Sequence, residues 1–474
     1  MSSLRIVQFL PSFGKRKSPP PLAQNFPTEL LAEIFRYFVQ DTGAPLGYYV
    51  PSYGHPDTRL FGPWILRAVC RSWKGIVDYT AALWAYIVIR DPNCNSALHC
   101  LREMAKRSGS NGLLIHTLII TERFALELVE HRARWREIHF VIEEQLFCSH
   151  SPPLFGHSVF PMLQVFTLIS CPLRTYQSGK ELKEPHFIDA TGDLAKTLDL
   201  SSCPSLTHTA IGVSLSVTLR LVLPNHQITH LELDDNDLPL ITFRPDSTVT
   251  WIWKEQILPN LSWLHVIGSG AGALDWLNAP NLRHLIVSQQ MGVVSVDMDI
   301  DSIGRMWNRS RCQIQTLEFR VPCQGGWLAH DGVMQILRRM GPELRELRFS
   351  VAGMHSLLPL NWSNLGDLLK KVRCLRIKVK AEVAADGLLP DRYLPPDSLH
   401  KNWSDRGKGI GRDDWSRFVA WNAQLLDMAR SLPCLDALVL DWDTSVYRDW
   451  YYSPTVQRSL SDFGSVLLLR EEEE

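Results

Sequence analysis

The residues best spaced for chemistry are Val266-Ile267-Gly268-Ser269-Gly270-Ala271-Gly272-Ala273, an apolar strand pattern that runs into a Gly-x-Gly-x-x-Ala loop. Glycines at that spacing let a tight turn bring backbone N–H groups against a pyrophosphate at a helix N-terminus, as in dinucleotide-binding folds. The same chemistry needs an acidic residue about twenty positions further on, closing the next strand, to hold a ribose hydroxyl. Here Leu285-Ile286-Val287 is followed by Ser288-Gln289-Gln290. The loop is therefore expected to be a glycine turn with no cofactor. Cys94, His99 and Cys100 cluster in sequence but lack the paired short spacings of a zinc site, and they read as part of a packed helix. His139, His230, His265 and His284 each stand beside an apolar strand residue and are expected on the solvent or core face of strands. No Ser/His/Asp or Cys/His set follows from spacing, so no catalytic residue or metal ligand is nominated.

Composition narrows the class. The chain has 474 residues, 45% hydrophobic and 21% charged, enough for two or three domains or one extended repeat body. Its 49 basic and 50 acidic residues leave a net charge of −1, no footprint for wholesale binding to nucleic acid or an anionic membrane. Ten cysteines scattered between Cys70 and Cys434 form no paired framework, which points to free thiols in a reducing compartment, cytoplasmic or nuclear. The apolar run Ile6 to Leu10 is short and broken by Pro11, unlike a secretory signal, and no run approaches a membrane span.

Residues 1–24, with Lys15-Arg16-Lys17 and Ser18-Pro19-Pro20-Pro21, read as a basic, proline-rich arm that cannot bury a core. Beyond it Leu30, Leu31, Ile34, Phe35 and Phe38 recur at three- and four-residue steps, one face of a helix starting near residue 28. After a lengthened link at 40–63, Leu66, Val69, Cys70, Trp73, Ile76 and Val77 form a second amphipathic stripe, with Arg67, Arg71 and Lys74 on the other side. A two-helix unit this small cannot bury both stripes alone, so it either caps the following domain or meets another protein.

Pro27, Leu30-Leu31, Ile34-Phe35, Val69-Cys70-Arg71-x-Trp73 and Leu83-Trp84 together resemble the F-box, which docks substrate receptors onto the Skp-type adaptor of a cullin-RING ubiquitin ligase. The segment departs from that pattern in having Phe26 where leucine is usual before the proline, and in the long link between helices. Carried over by position, the resemblance implies that Pro27, Leu30, Ile34, Val69, Cys70, Trp73 and Trp84 form the adaptor-facing or locally packed set of a helical domain over 25–90.

The remainder, 91–470, repeats a Leu-x-x-Leu-x-Leu template: Ile115, Trp135, Leu163, Ala195, Ile228, Leu261, Leu282, Ile314, Leu344, Val372 and Leu435 each begin one. That is the signature of leucine-rich repeats. The starts at 163, 195, 228 and 261 are 32, 33 and 33 residues apart, long enough for an outer helix or loop in each unit. Cys171, Cys203 and Asn236 follow three residues after successive templates, at the family's inward Asn/Cys position. Helical stripes at Val333, Ile336, Leu337, Met340 and at Trp415, Phe418, Val419, Leu426 supply outer layers, and 383–412 reads as an inserted loop. A four-residue acidic tail, 471–474, closes the chain.

The expected fold class is thus α/β: an F-box-like helical domain followed by a degenerate leucine-rich-repeat solenoid, a curved parallel sheet with outer helices and loops. The resemblance implies a non-catalytic substrate receptor that meets a Skp-type adaptor, through it a cullin, and an unknown target protein. Outward positions between strand apolars, among them Trp263, Arg283, Arg320, Arg345 and Arg348 with Glu232, Asp234 and Glu318, are the candidate target contacts. Trp442, Tyr447, Trp450, Tyr451 and Tyr452 either join them or cover the last coil. The alternative is a repeat scaffold for protein–protein interaction that never meets a ligase.

Overall fold

The computed structural model describes residues 26–42, 62–89, 97–120, 122–143, 160–171, 196–212, 219–224, 226–234, 256–267, 274–288, 300–321, 331–351, 365–366, 368–379, 424–425, 427–442 and 467–471. The arm at 1–24, most of the link at 40–63, the glycines at 268–272, Cys94, Asn236, the 383–412 insertion and the tyrosines at 447–452 lie outside them. Two compact units meet in sequence at Thr117 and Leu118.

In the first unit α1 (Thr28–Thr42), α2 (Pro63–Val69), α3 (Arg71–Tyr79) and α4 (Ala81–Trp84) precede β1 (Tyr86–Ile89), α5 (Ala97–Arg107) and β2 (Leu113–Ile120), with β1 and β2 parallel. Pro27 donates nothing, but its carbonyl accepts from Leu31 N at 3.1 Å and so opens the α1 ladder. The second expected helix is two helices. Cys70 is extended (φ −160°, ψ 169°), closing α2 and capping α3 by accepting from Trp73 N through its sulfur at 3.5 Å. The break turns Val69 away from the stripe shared by Leu66, Ile76 and Val77, which stay buried while Val69 does not.

The second unit is α/β and built on a large parallel sheet. Its strands are β3 (Trp135–Glu143), β4 (Val165–Cys171), β5 (Lys196–Asp199), β6 (His208–Gly212), β7 (Leu219–Val222), β8 (His230–Asp234), β9 (Gln256–Ile257), β10 (Trp263–Ile267) and β11 (Leu277–Asn278). There follow β12 (His284–Ser288), β13 (Thr316–Val321), β14 (Glu346–Val351), β15 (Cys374–Val379), β16 (Ala437–Trp442) and β17 (Leu467–Glu471). The large sheet runs β3-β4-β6-β8-β10-β12-β13-β14-β15-β16-β17, while β5 pairs with β7 and β9 with β11 in separate two-stranded sheets. Helix α6 (Glu122–Val129) precedes β3, and α7 (Ile300–Ser310) and α8 (Asp331–Met340) flank β13 in sequence. Strand β17 takes in Arg470 and Glu471, so these belong to a strand and not to a free tail.

Side chains alternate across each strand, so the apolar template residues share one face. Registers place Leu264 beside Leu231 and Leu285, Leu317 beside Leu347, and Leu375 beside Leu438. A second row joins Val266, Val287, Phe319, Phe349, Ile377 and Leu440. Every member of both rows is 0–2% exposed. The opening template residues Ile228, Leu261 and Leu344 are equally buried.

A backbone device fixes that register. Gln315 O accepts from both Arg345 N and Glu346 N at 2.9 Å, and Arg345 O accepts from Arg373 N at 2.7 Å and Cys374 N at 3.1 Å. The same two-donor carbonyl recurs at Gln164, Thr207, Thr229, Ser262, Arg283 and Arg373. Side chains tie successive turns just ahead of the strands: Ser205 Oγ donates to Pro161 O at 3.0 Å, Asn281 Nδ2 to Pro259 O at 2.7 Å, and Asn260 Nδ2 to His226 O. Gly341 sits where a Cβ would come 2.4 Å from Leu368 O, so no other residue fits between these turns without displacement.

One template does not supply a strand of the large sheet. The segment from Ala195 supplies β5, which lies outside the large sheet; the strand between β4 and β8 is β6, opened by Leu206. Cys203 is buried in the turn ahead of Leu206 and does not follow a large-sheet strand. The even spacing expected across 163–261 is accordingly lost. Sequence pattern hid β6 because Thr209 occupies the row of Phe166 and Leu231. Thr209 is 3% exposed and its hydroxyl has no hydrogen-bond partner among the described residues. An isosteric Thr209→Val removes that buried hydroxyl, and we expect it to stabilise the protein by about 1–2 kcal/mol; a thermal melt of the variant lying at or below that of the parent would contradict this.

Candidate docking surfaces

Helix α1 carries two apolar stripes, not one. Leu31, Phe35 and Val39, four residues apart, are 5%, 1% and 2% exposed. The adjoining stripe, about 100° round the helix, is Leu30, Ile34 and Phe38, exposed to 52%, 51% and 36%, and Phe26, just ahead of the helix, is 47% exposed. Val69 at the end of α2 is 55% exposed, and Tyr37 and Tyr79 are also open. Single exposed apolar residues are ordinary, whereas an aligned stripe on a helix whose other stripe is already buried is a candidate contact surface.

The interior beneath is aromatic and ionic. Phe35 and Trp73 pack with ring centroids 4.6 Å apart and planes inclined by 55°. Trp84 is fully buried, donates Nε1–H to Val77 O at 2.8 Å and takes the edge of Trp64 at 5.0 Å. The Arg107 guanidinium lies 4.6 Å from the Trp84 ring and that of Arg67 5.3 Å from Trp64. Both face Asp78, with N···O distances of 2.7 Å and 2.8 Å. Of the seven residues carried over from the F-box resemblance, Pro27, Leu30, Ile34 and Val69 are on the surface. Cys70 and Trp73 are half-buried and shape the helix junction. Trp84 is a core residue and belongs to the locally packed part of the set.

In the second unit, alternation sends the residues between the apolar rows to the opposite face of the large sheet. His208, His230, Trp263 and His284 are register neighbours there. His208 and His230 stack at 4.2 Å, and Trp263 lies 5.6 Å from His230. Further along the strands His265 Nδ1 is 3.4 Å from Glu232, and His265 Nε2 is 2.7 Å from Ser288 Oγ. A carboxylate, an imidazole and a hydroxyl in that order have the layout of a hydrolase relay. However, His265 and Ser288 are only 5% and 6% exposed, so the hydroxyl is closed to a substrate and the three residues satisfy one another. Spacing could not reveal them, because each lies on a different strand.

Toward β15 the same face becomes charged. Arg348 grips Glu346 with two parallel bonds of 2.8 and 2.9 Å, and Arg320 Nε donates to Glu318 at 2.6 Å. Burial opposes ionisation of Glu346, but the Arg348 hydrogen bond and the charges of Arg348 and Arg376 outweigh it and hold the carboxyl below its usual value. Arg283 and Arg345 stand exposed at strand starts. The candidate target residues Trp263, Arg320 and Arg348 therefore share this face, with Arg283 and Arg345 at its edge. Cys312, by contrast, is a buried thiol pushed up to about 11 and chemically quiet.

No family model matches the chain, and no curated protein is similar to it. Among the described residues no helix is long and apolar enough to cross a membrane.

Burial lowers the pKa of His230 from 6.5, with the neighbouring His208 and then His284 adding to the effect. The fold thus favours the neutral ring. Such a group contributes stability above the unfolded value that is lost as pH falls through the folded value. We expect the melting temperature to drop as pH is lowered from about 7 to about 5, and His230→Phe to flatten that dependence. An unchanged pH profile in the variant would remove His230 from the cause.

Proposed function

We propose that this protein is the substrate-recognition subunit of a Skp-cullin-F-box ubiquitin ligase. In this reading the first unit is an F-box that binds the adaptor, and the second is a degenerate leucine-rich-repeat body that holds a target protein. The observation that carries the proposal is the exposed stripe Leu30, Ile34 and Phe38 with Val69, on helices whose Leu31, Phe35, Val39 and Leu66 already have an interior. Of the F-box-like residues, Pro27, Leu30, Ile34 and Val69 are left outside, which a helical cap serving only its own domain does not require. The break at Cys70 supports the same reading, because it turns Val69 outward within the Val-Cys-Arg-x-Trp block.

The chemistry of ubiquitin transfer then belongs to other subunits. This chain acts by proximity: holding a target lysine near a charged ubiquitin carrier raises its effective concentration with no bond made or broken here. The large sheet suits the holding role, since its backbone and apolar rows are fixed while one face remains polar and half-exposed. Such a receptor works in the cytoplasm or nucleus, and needs no cofactor of its own.

A pull-down with a purified Skp-type adaptor tests the proposal. Leu30→Asp and Ile34→Asp alter side chains that this chain does not bury, so both variants should melt like the parent. Each should lose at least about 2 kcal/mol of adaptor affinity, roughly thirtyfold. Trp73→Ala is a poorer probe, since it also uncovers Phe35. Adaptor retained in full by both Asp variants, or never captured by the parent, leaves only the scaffold reading.

A further inference from the structure

The chain as a whole is balanced, with 49 basic against 50 acidic residues, yet one part of its sheet is not. The polar face of β13, β14 and β15 presents Arg320, Arg348, Arg376 and Lys378 with the carboxylates Glu318 and Glu346, and Asp441 of β16 is the register neighbour of Lys378. Arg283, Arg345 and Arg373 add three exposed cations at the starts of β12, β14 and β15; the first acidic residue at an equivalent position is Asp436, ahead of β16. Counted by sign alone, the region carries a surplus of positive charge within a few strand widths of about 4.8 Å each.

Its geometry is set in advance. The carbonyls of Arg283, Arg345 and Arg373 each accept two N–H groups from the next strand, so the three side chains spring from fixed backbone positions. Arg348 is held by Glu346 yet keeps 35% of its side chain exposed, and Arg320, held by Glu318, keeps 43%. These guanidinium groups are oriented before any partner arrives, and their planar forks match carboxylates.

We propose that this face docks a carboxylate-rich, extended segment of a partner protein. The proposal deepens the receptor reading by giving the chemistry of the target, and it rests on that reading for the partner's being a target. Glu318 and Glu346 among the cations favour a peptide over a nucleic acid. A phosphate backbone would press continuous negative charge onto both carboxylates, whereas a peptide can set neutral or hydrogen-bonding residues against them.

The test is fluorescence anisotropy with the full-length protein and a short labelled peptide of alternating Glu and Ser, alongside a Lys/Ser peptide and a single-stranded oligonucleotide of equal charge. The Glu/Ser peptide should bind saturably, weaken as salt rises and outcompete the oligonucleotide. The double variant Arg345→Glu/Arg373→Glu, whose side chains are exposed and whose melt should match the parent's, should lose about tenfold or more in affinity. Absence of saturable binding, equal affinity in the double variant, or tighter binding of the oligonucleotide would each overturn the proposal. Adaptor capture measured on the same preparations separates the two readings: the double variant should keep the adaptor, and Ile34→Asp should keep the peptide.

Discussion

Strands β4, β6, β8, β10, β12, β13, β14 and β15 of the large sheet are each pinned by a carbonyl that lies just ahead of the strand and accepts two N–H groups from the segment after. Because that bond pair repeats from Gln164 to Arg373, neighbouring strands cannot slip. A shift of one residue would send Leu347 and Phe349 to the polar face and Glu346 and Arg348 into the core. The register thus decides two things together: the apolar rows close on one side, and imidazole, carboxylate and guanidinium rows line up on the other. Both the stability of the second unit and the chemistry of its open face descend from the same backbone contact.

The first unit follows a different logic. Its interior is gathered round Trp84, whose ring is covered by Trp64 and two guanidinium groups that Asp78 holds in place. That arrangement uses the inner stripe of α1 and leaves the outer stripe over. Helical period alone could not separate the two, since Leu30 and Leu31, or Ile34 and Phe35, are adjacent residues whose side chains diverge by about 100°. The α2–α3 junction adds to the outer surface, because an extended Cys70 rotates the last turn of α2 away from the core that α3 shares.

Much of the second unit was legible because its repeat is a spacing rule, and burial on one face of parallel strands enforces the spacing. The rule failed at β6, where Thr209 breaks the apolar row. A better signal was present: Pro-x-Leu stands ahead of the strands at Pro161-Met162-Leu163, Pro204-Ser205-Leu206, Pro259-Asn260-Leu261, Pro280-Asn281-Leu282 and Pro342-Glu343-Leu344. Its middle residue carries the tie between turns in Ser205, Asn260 and Asn281. In the first unit the anchor types were readable but not their sides. Trp84 went inward because its Nε1 finds Val77 O, a contact formed by the turn between α3 and α4 that no periodicity encodes. The polar pairings of the sheet face were hidden for a plainer reason: their members are far apart in sequence and meet only through register.

The strands of the large sheet are joined by connections of very different length. Val321 is followed by Glu346 at the next strand, but Val379 by Ala437, and still Cys374 pairs with Ala437 in the same register in which Glu346 pairs with Cys374. Closure entropy rises only with the logarithm of loop length, by about 0.6 kcal/mol for each doubling. A long connection between strands therefore costs little more than a short one, and the lattice of hydrogen bonds on either side of it keeps its order.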